Sequence, residues 1–182
     1  MKVNKFKIEG LIEFIPNTYK DSRGEFTETY NQQLMTSLGL TELFVQDNQS
    51  ISHKGVFRGI HLQEGWSAQG KLVRVSRGSV IDFAVDLRKD SPTYGQWQSL
   101  KLTADLGNQF YVPAGFGHAF LALEDNTTFC YKCTNLYDPS SQVCIKWDDE
   151  DLNLDLESYI DCDILISPKD LEGISLKKYT NL

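Results

Sequence analysis

Ionisable side chains stand inside stretches that otherwise read as buried strand. In Gly55-Val56-Phe57-Arg58-Gly59-Ile60-His61-Leu62-Gln63, an arginine and a histidine interrupt an apolar run. Beyond His61, Lys71 opens another such stretch, Lys71-Leu72-Val73-Arg74-Val75. Tyr131 lies within Phe129–Cys133, and His118 leads into Ala119-Phe120-Leu121-Ala122-Leu123. A buried cation is costly unless it meets an anion. Arg58, Lys71 and two histidines gathered at the mouth of a barrel would suit a phosphorylated ligand. The plainer alternative is that each is satisfied alone at a strand edge.

Other chemistries find less support. The histidines are His53, His61 and His118, and none forms the His-x-His pair by which metal-binding jelly rolls hold two ligands. A first-row metal site would have to be assembled from scattered residues, so no metal and no other cofactor is expected. A phosphate-cradling glycine loop before a helix and a Gly-x-Ser-x-Gly elbow are both missing. Cys130 and Cys133 form a CxxC without a matching second pair, since Cys144 and Cys162 lie far apart. The CxxC falls in a strand-like segment, where residues three apart point to opposite faces. Buried, reduced thiols are the expectation there.

These residues must be positioned by strands, because the middle of the chain alternates with period two and helical period is nearly absent. In Val80–Arg88, Ile81, Phe83, Val85 and Leu87 share one face while Asp82, Asp86 and Arg88 share the other, predicting a half-buried strand. Similar runs occupy Leu43–Gln49, Val56–Gln63, Lys71–Ser76, Gln96–Thr103, Gln109–Val112, His118–Leu123, Thr127–Thr134 and Val143–Trp147. Turn residues separate them, as at Arg77-Gly78 and Pro113-Ala114-Gly115. Many short strands at this spacing predict an all-β fold, an antiparallel jelly-roll sandwich or barrel. Asn31–Leu38 is expected to be a short helix, and Asp148–Leu152 another turn or so.

The chain has 182 residues, 41% of them hydrophobic and 24% charged, which suits one jelly-roll domain over 1–182 with a real core. Net charge is −7, from 25 acidic and 18 basic residues, which argues against nucleic acid as a partner. An anionic small molecule remains allowed, because a few local cations can serve a pocket on an acidic protein. No stretch approaches the ~20 apolar residues of a membrane span. The N-terminus lacks the apolar run of a signal peptide, so no membrane partner and a cytoplasmic address are expected.

Several motifs, in order along nearly the whole chain, resemble the dTDP-4-dehydrorhamnose 3,5-epimerase family. They are Asp21-Ser22-Arg23-Gly24-Glu25-Phe26-Thr27-Glu28, Val45-Gln46-Asp47-Asn48-Gln49-Ser50, Gly55–Gln63 and Ala68-Gln69-Gly70-Lys71-Leu72-Val73-Arg74-Val75. There follow Asp86-Leu87-Arg88 with Ser91-Pro92-Thr93-Tyr94-Gly95, then Pro113-Ala114-Gly115-Phe116-Gly117-His118-Ala119-Phe120. Tyr131-Lys132-Cys133-Thr134, Trp147-Asp148-Asp149 and Ser167-Pro168-Lys169-Asp170 close the series. Each is weak alone, but together in register they are specific.

The resemblance implies a cofactor-free, cupin-like jelly-roll homodimer with a subunit-shared active site. Its dTDP-sugar substrate would be dTDP-4-dehydro-6-deoxy-D-glucose, epimerised at C3 and C5 to dTDP-4-dehydro-L-rhamnose. The family's general base falls on His61, its dyad carboxylate on Asp170, the opposing proton donor on Tyr131, and the lysine beside the C4 carbonyl on Lys71. Arg23, Phe26 and Glu28 match residues that reach the nucleotide from the partner subunit. Gln46, Asn48, Arg58, His118 and Lys169 match other ligand contacts, and Tyr137 matches the tyrosine that stacks on thymine.

The residue types suit that chemistry. Protons beside a carbonyl are acidic because the carbanion is an enolate, so a base on one face and an acid on the other invert the carbon between them. A carboxylate would fix the tautomer of His61, Lys71 would meet the enolate charge, and a tyrosine of pKa ~10 arrives protonated. The sequence departs from the family pattern in four places. The usual Gly-Phe-Ala-His-Gly-Phe reads Gly115-Phe116-Gly117-His118-Ala119-Phe120, and Leu62 replaces the aromatic that often follows the base. Gln142 stands where a glutamate is common, and Leu154–Tyr159 lacks the usual tryptophan. None removes a catalytic group. Alternatives are a mono-epimerase, a relative acting on another 4-keto sugar nucleotide, and a non-enzymatic sugar-nucleotide-binding cupin.

Overall fold

The computed structural model describes residues 1–181. Two six-stranded sheets face each other as an antiparallel jelly roll. The first runs in spatial order β1 (Lys2–Lys5), β2 (Ile12–Ile15), β10 (Gln109–Val112), β7 (Lys71–Arg77), β12 (Thr127–Cys133) and β5 (Gln46–Ser52). The second runs β13 (Gln142–Cys144), β6 (Val56–Gln63), β11 (Phe116–Ala122), β8 (Ser79–Asp86) and β9 (Trp97–Thr103). Its sixth strand, β14 (Leu165–Ile166), lies parallel to β6 at Val56 and Phe57, while β13 pairs with β6 at His61 to Gln63. β3 (Thr18–Asp21) and β4 (Gly24–Thr27) form a hairpin that joins neither sheet. Three short helices, α1 (Gln32–Ser37), α2 (Pro168–Leu171) and α3 (Leu176–Thr180), lie at the periphery. Among the described residues no helix is long and apolar enough to cross a membrane.

The core lies in three layers. Val73 and Val75 of β7, Phe110 of β10 and Phe129 of β12 meet Val80 and Ala84 of β8 and Phe116 and Phe120 of β11 between the sheets. The outer face of the second sheet presents Phe57, Ile60, Ile81, Phe83, Val85 and Leu121, which are covered by Ile145, Leu152, Leu156, Leu176 and Tyr179. Met35 and Leu40, from α1 and the residues after it, pack with Phe14, Leu72 and Tyr111 over the first sheet.

That second layer corrects one expectation. β8 is buried at every position and is not half-buried, since the C-terminal segment seals the face that alternation alone would leave to solvent. Its two carboxylates survive burial by finding partners. Asp82 meets His118 at 2.9 Å, and Asp86 accepts from Arg88, Ser91 and Thr93. Two strand boundaries also move. The run expected at Leu43–Gln49 pairs over Gln46–Ser52, because its register is set by β12, Cys133 opposite Gln46 and Thr127 opposite Ser52. The run expected at Val143–Trp147 is a strand only over Gln142–Cys144, after which Ile145 bridges to Ile174. β6 and β10 fall where the pattern puts them.

Candidate active site

A cavity of about 690 Å3 opens between the two sheets, within the roughly 300–1,000 Å3 usual for small-ligand sites. Its floor is apolar: Phe120 of β11 and Phe129 of β12 stack across the gap at 4.1 Å between ring centres. Polar side chains from both sheets and from α2 line the walls.

His61 and Asp170 meet there from distant parts of the chain. His61 sits on β6 between two neighbours, paired with His118 of β11 on one side and Cys144 of β13 on the other. Asp170 is delivered by α2, whose start is written in Ser167-Pro168-Lys169-Asp170. Ser167 caps the helix by accepting from the Asp170 N–H at 3.1 Å, and Pro168 takes the first turn, where its missing N–H costs nothing. The buried Asp170 carboxylate then lies 2.7 Å from His61 Nε2, and its other oxygen accepts from the Gly59 N–H at 3.4 Å. Burial alone would raise the Asp170 carboxyl, but the bond from His61, the charge of His61 and the Gly59 N–H together hold it below the ordinary carboxylate range. An ionised Asp170 places the imidazole hydrogen on Nε2 and leaves Nδ1 as the free acceptor.

Tyr131 stands on the opposite sheet, on β12, and lines the same cavity. Burial, reinforced by Cys133, raises its phenol against the pull of Arg58, so the hydroxyl keeps its proton. Lys71, at the start of β7, directs its ammonium to the His61 carbonyl at 3.4 Å. Desolvation pushes that ammonium below its usual range, with Cys133 and Asp82 opposing. Among the described residues no carboxylate pairs with Arg58, Lys71 or Lys169, all three of which line the cavity. Among the described residues the Arg58 side chain makes one hydrogen bond, to Ser52 Oγ at 3.3 Å, and Lys169 meets the neutral Gln142 at 2.9 Å. Three cations held in no direct protein ion pair line one cavity, which suits a phosphorylated ligand.

Of the residues expected from sequence, His61, Lys71, Tyr131, Asp170, Gln46, Asn48, Arg58, His118, Tyr137, Gln142 and Lys169 all line this cavity. Arg23, Phe26 and Glu28 do not. They lie on or just after the β3–β4 hairpin, away from the cavity of their own chain, with Phe26 67% exposed and Arg23 tied to Asp21 at 2.6 Å. Several polar residues escaped sequence reasoning. Asp82, which holds His118, read as a solvent-facing carboxylate. Gln63 accepts from the Asp138 N–H at 2.9 Å and donates to the Leu136 carbonyl at 3.1 Å, while Gln69 donates to Asn135 at 2.7 Å. With Gln46, which accepts from the Tyr137 N–H at 2.8 Å, they fix the loop that carries Tyr137 to the cavity rim. A glutamine inside an apolar strand, as at Gln63, was the available signal.

All four cysteines are free, with Cys130 and Cys133 buried, Cys144 half-buried and Cys162 exposed. Cys133 lines the cavity beside Tyr131, whereas Cys130 bonds outward to Ser76 and Gln49, so the CxxC pair does diverge.

The family model described as dTDP-4-dehydrorhamnose 3,5-epimerase matches residues 5–178. The enzyme of that name from Methanothermobacter thermautotrophicus is 46% identical over 166 residues, 91% of this chain and 89% of the relative. A crystal structure of a dTDP-6-deoxy-D-glucose-3,5-epimerase from Legionella pneumophila, in complex with dTDP-4-keto-L-rhamnose, superposes with a TM-score of 0.91. It is 40% identical, over 97% of this chain and 93% of that one. A dTDP-4-dehydrorhamnose 3-epimerase from Streptomyces niveus is 34% identical over 97% of this chain and 84% of its own length.

Proposed function

The chain belongs to the dTDP-4-dehydrorhamnose 3,5-epimerase family, and on that premise we propose which of its groups do the chemistry and on what substrate. It is an isomerase of carbohydrates, and the substrate we infer is dTDP-4-dehydro-6-deoxy-D-glucose, inverted at C3 and C5 to dTDP-4-dehydro-L-rhamnose. His61 Nδ1 takes the proton from the carbon beside the C4 ketone, and the electron pair moves onto the ketone oxygen as an enolate. The Lys71 ammonium meets that oxygen as its charge develops, where a fixed cation is worth far more than water. Tyr131 returns a proton to the opposite face of the same carbon, which inverts it. Solvent then reprotonates Tyr131 and takes the proton from His61, and the cycle repeats at the second carbon. Asp170 holds His61 in the tautomer that frees Nδ1 and stabilises the imidazolium. Arg58, Lys169 and His118 bind the diphosphate, and Tyr137 stacks on the thymine.

The observation that carries this reading is the His61–Asp170 pair, 2.7 Å apart, on one wall of a cavity whose other wall presents Tyr131. No step needs a cofactor. We further infer a homodimer of single-domain chains. Among the described residues the β3–β4 hairpin pairs with no further strand and leaves Tyr19 and Phe26 exposed, while β5, at the sheet edge, exposes Ile51. An unsealed edge and a detached hairpin with two exposed aromatic rings suit a second copy of the chain, which would bring Arg23, Phe26 and Glu28 to its partner's cavity. Free thiols fit a reducing cytoplasm.

Turnover of the 4-keto sugar nucleotide in deuterated water, followed by proton NMR, tests the reaction. Label at both C3 and C5 with L-rhamno product is expected. Label and inversion at one carbon alone would make the protein a mono-epimerase like the Streptomyces relative, and binding without label would leave a silent cupin.

A further inference from the structure

One group beside the proposed base takes no part in the chemistry above. Cys144 lies on β13 directly opposite His61 in the ladder, so the two side chains are cross-strand neighbours on one face of the sheet. Its Sγ also lies 3.9 Å from the Asp170 carbonyl, which ties it to the turn of α2 that delivers the carboxylate. One nitrogen of His61, the sulfur of Cys144 and one carboxylate oxygen of Asp170 all fall within 4.8 Å of one another. Three elements thus converge on an imidazole, a thiol and a carboxylate, none fully exposed.

We propose that His61, Cys144 and Asp170 form a site for a thiophilic divalent cation such as Zn2+, and that occupation of this site silences the base. The donor set is one that zinc accepts, and thiolate with imidazole selects it over the harder Mg2+ and Ca2+. Donors sharing one tetrahedral zinc stand about 3.5 Å apart, so side-chain movement of about 1 Å closes the triad, and the fourth position opens for water. The proton balance is simple. Cys144 releases its proton to solvent, and the hydrogen on His61 Nε2 shifts to Nδ1 as Nε2 takes the metal. Thiolate and carboxylate then neutralise the two charges of the ion, which makes partial burial tolerable. With Nδ1 protonated and Nε2 ligated, His61 has no lone pair for the substrate.

Metal binding stands apart from the catalytic reading, whereas the inhibition rests on His61 being the base, and the experiment separates the two. In a Cys162→Ser background, which removes the exposed thiol, Zn2+ affinity is measured by competition with a chromophoric chelator, and Co2+ is added to read the thiolate charge-transfer band. One ion per chain is expected, with at least tenfold weaker binding and no charge-transfer band in Cys144→Ser and in Cys144→Ala. Turnover should fall with Zn2+, return with chelator, and resist Zn2+ in both Cys144 variants, whose metal-free turnover matches the parent. A chain that takes up no Zn2+, or whose site is unchanged by either Cys144 substitution, overturns the proposal. Binding that depends on Cys144 yet leaves turnover intact would uphold a metal site at Cys144 and overturn the silencing of His61.

Discussion

At the scale of single residues, two carboxylates show how burial and bonding divide the work. His61 and the Gly59 N–H hold the Asp170 carboxyl below the ordinary carboxylate range against burial, and in the proposed reaction its charge serves the imidazole. Asp170→Asn keeps the shape but loses that charge, so kcat should fall roughly 10²–10⁴-fold, the usual scale for disabling a general base, with KM changed far less. Steady-state kinetics reads the split, and a kcat within a few-fold of wild type would free His61 from its dyad. Asp86 does structural work instead. It is fully buried and accepts from Arg88 at 2.7 Å and from Ser91 and Thr93, each at 2.6 Å. Burial would raise it, but these bonds prevail and bring it from 3.8 to about 2. A depressed folded-state pKa contributes stability that is complete above the unfolded value and lost as pH falls through the folded one. Asp86 therefore adds roughly 2 kcal/mol at neutral pH, surrendered between about pH 4 and pH 2. Urea unfolding should show Asp86→Asn less stable by at least that amount, with a flatter decline across the same window.

At the scale of elements, β6 is the strand around which the site is built. Gly59 makes its path between β11 and α2 feasible. A Cβ there would stand 2.4 Å from the Ala119 Cβ and 2.7 Å from the Ala119 Cα, at a φ of +134° that L side chains rarely adopt. Gly59→Ala should cost roughly 3 kcal/mol or more from overpacking and strain together. It should also pull the Gly59 N–H from Asp170, so activity falls further than lost fold alone explains; equal melting temperatures for variant and wild type would contradict this. The same strand shows what a sequence can disclose. Val56–Gln63 was legible to its ends because a long apolar run admits few registers, and Arg58 and His61 stood out within it. The burial of β8 is not legible in its own alternation, which reports chemistry and not what covers a face; the covering residues, Ile145 to Tyr179, lie far downstream. β1 to β4, β14, α2 and α3 carry too few periodic residues to register, at two to five residues each. Asp170 was reachable only by resemblance, since its meeting with His61 across 109 residues is a product of the fold. Cys144 gave no signal at all, because its significance is the neighbour it acquires across the β13–β6 ladder.

At the scale of the whole molecule, the two sheets are two walls of one cavity, His61 on one and Tyr131 on the other, and the proposed reaction needs a base and an acid placed on opposite faces of one sugar. The walls of one chain lack Arg23, Phe26 and Glu28, which stand out on the hairpin. In the proposed shared-site homodimer, mixing an Arg23→Ala protein with a His61→Ala protein should restore part of the activity, since a heterodimer would hold one intact composite site. Failure despite demonstrated subunit exchange would leave each site within one chain. The opposition of the walls is tested most directly by proton NMR of substrate in deuterated water with Tyr131→Phe and His61→Ala side by side. In Tyr131→Phe the ring still fills its place and the enolate still forms, but the nearby acid is His61, which returns a proton to the face it left. Exchange of the C3 and C5 protons with retained configuration is the expected result, while His61→Ala should show neither exchange nor inversion. Brisk inversion by Tyr131→Phe, or brisk exchange by His61→Ala, would contradict a base on one wall and an acid on the other.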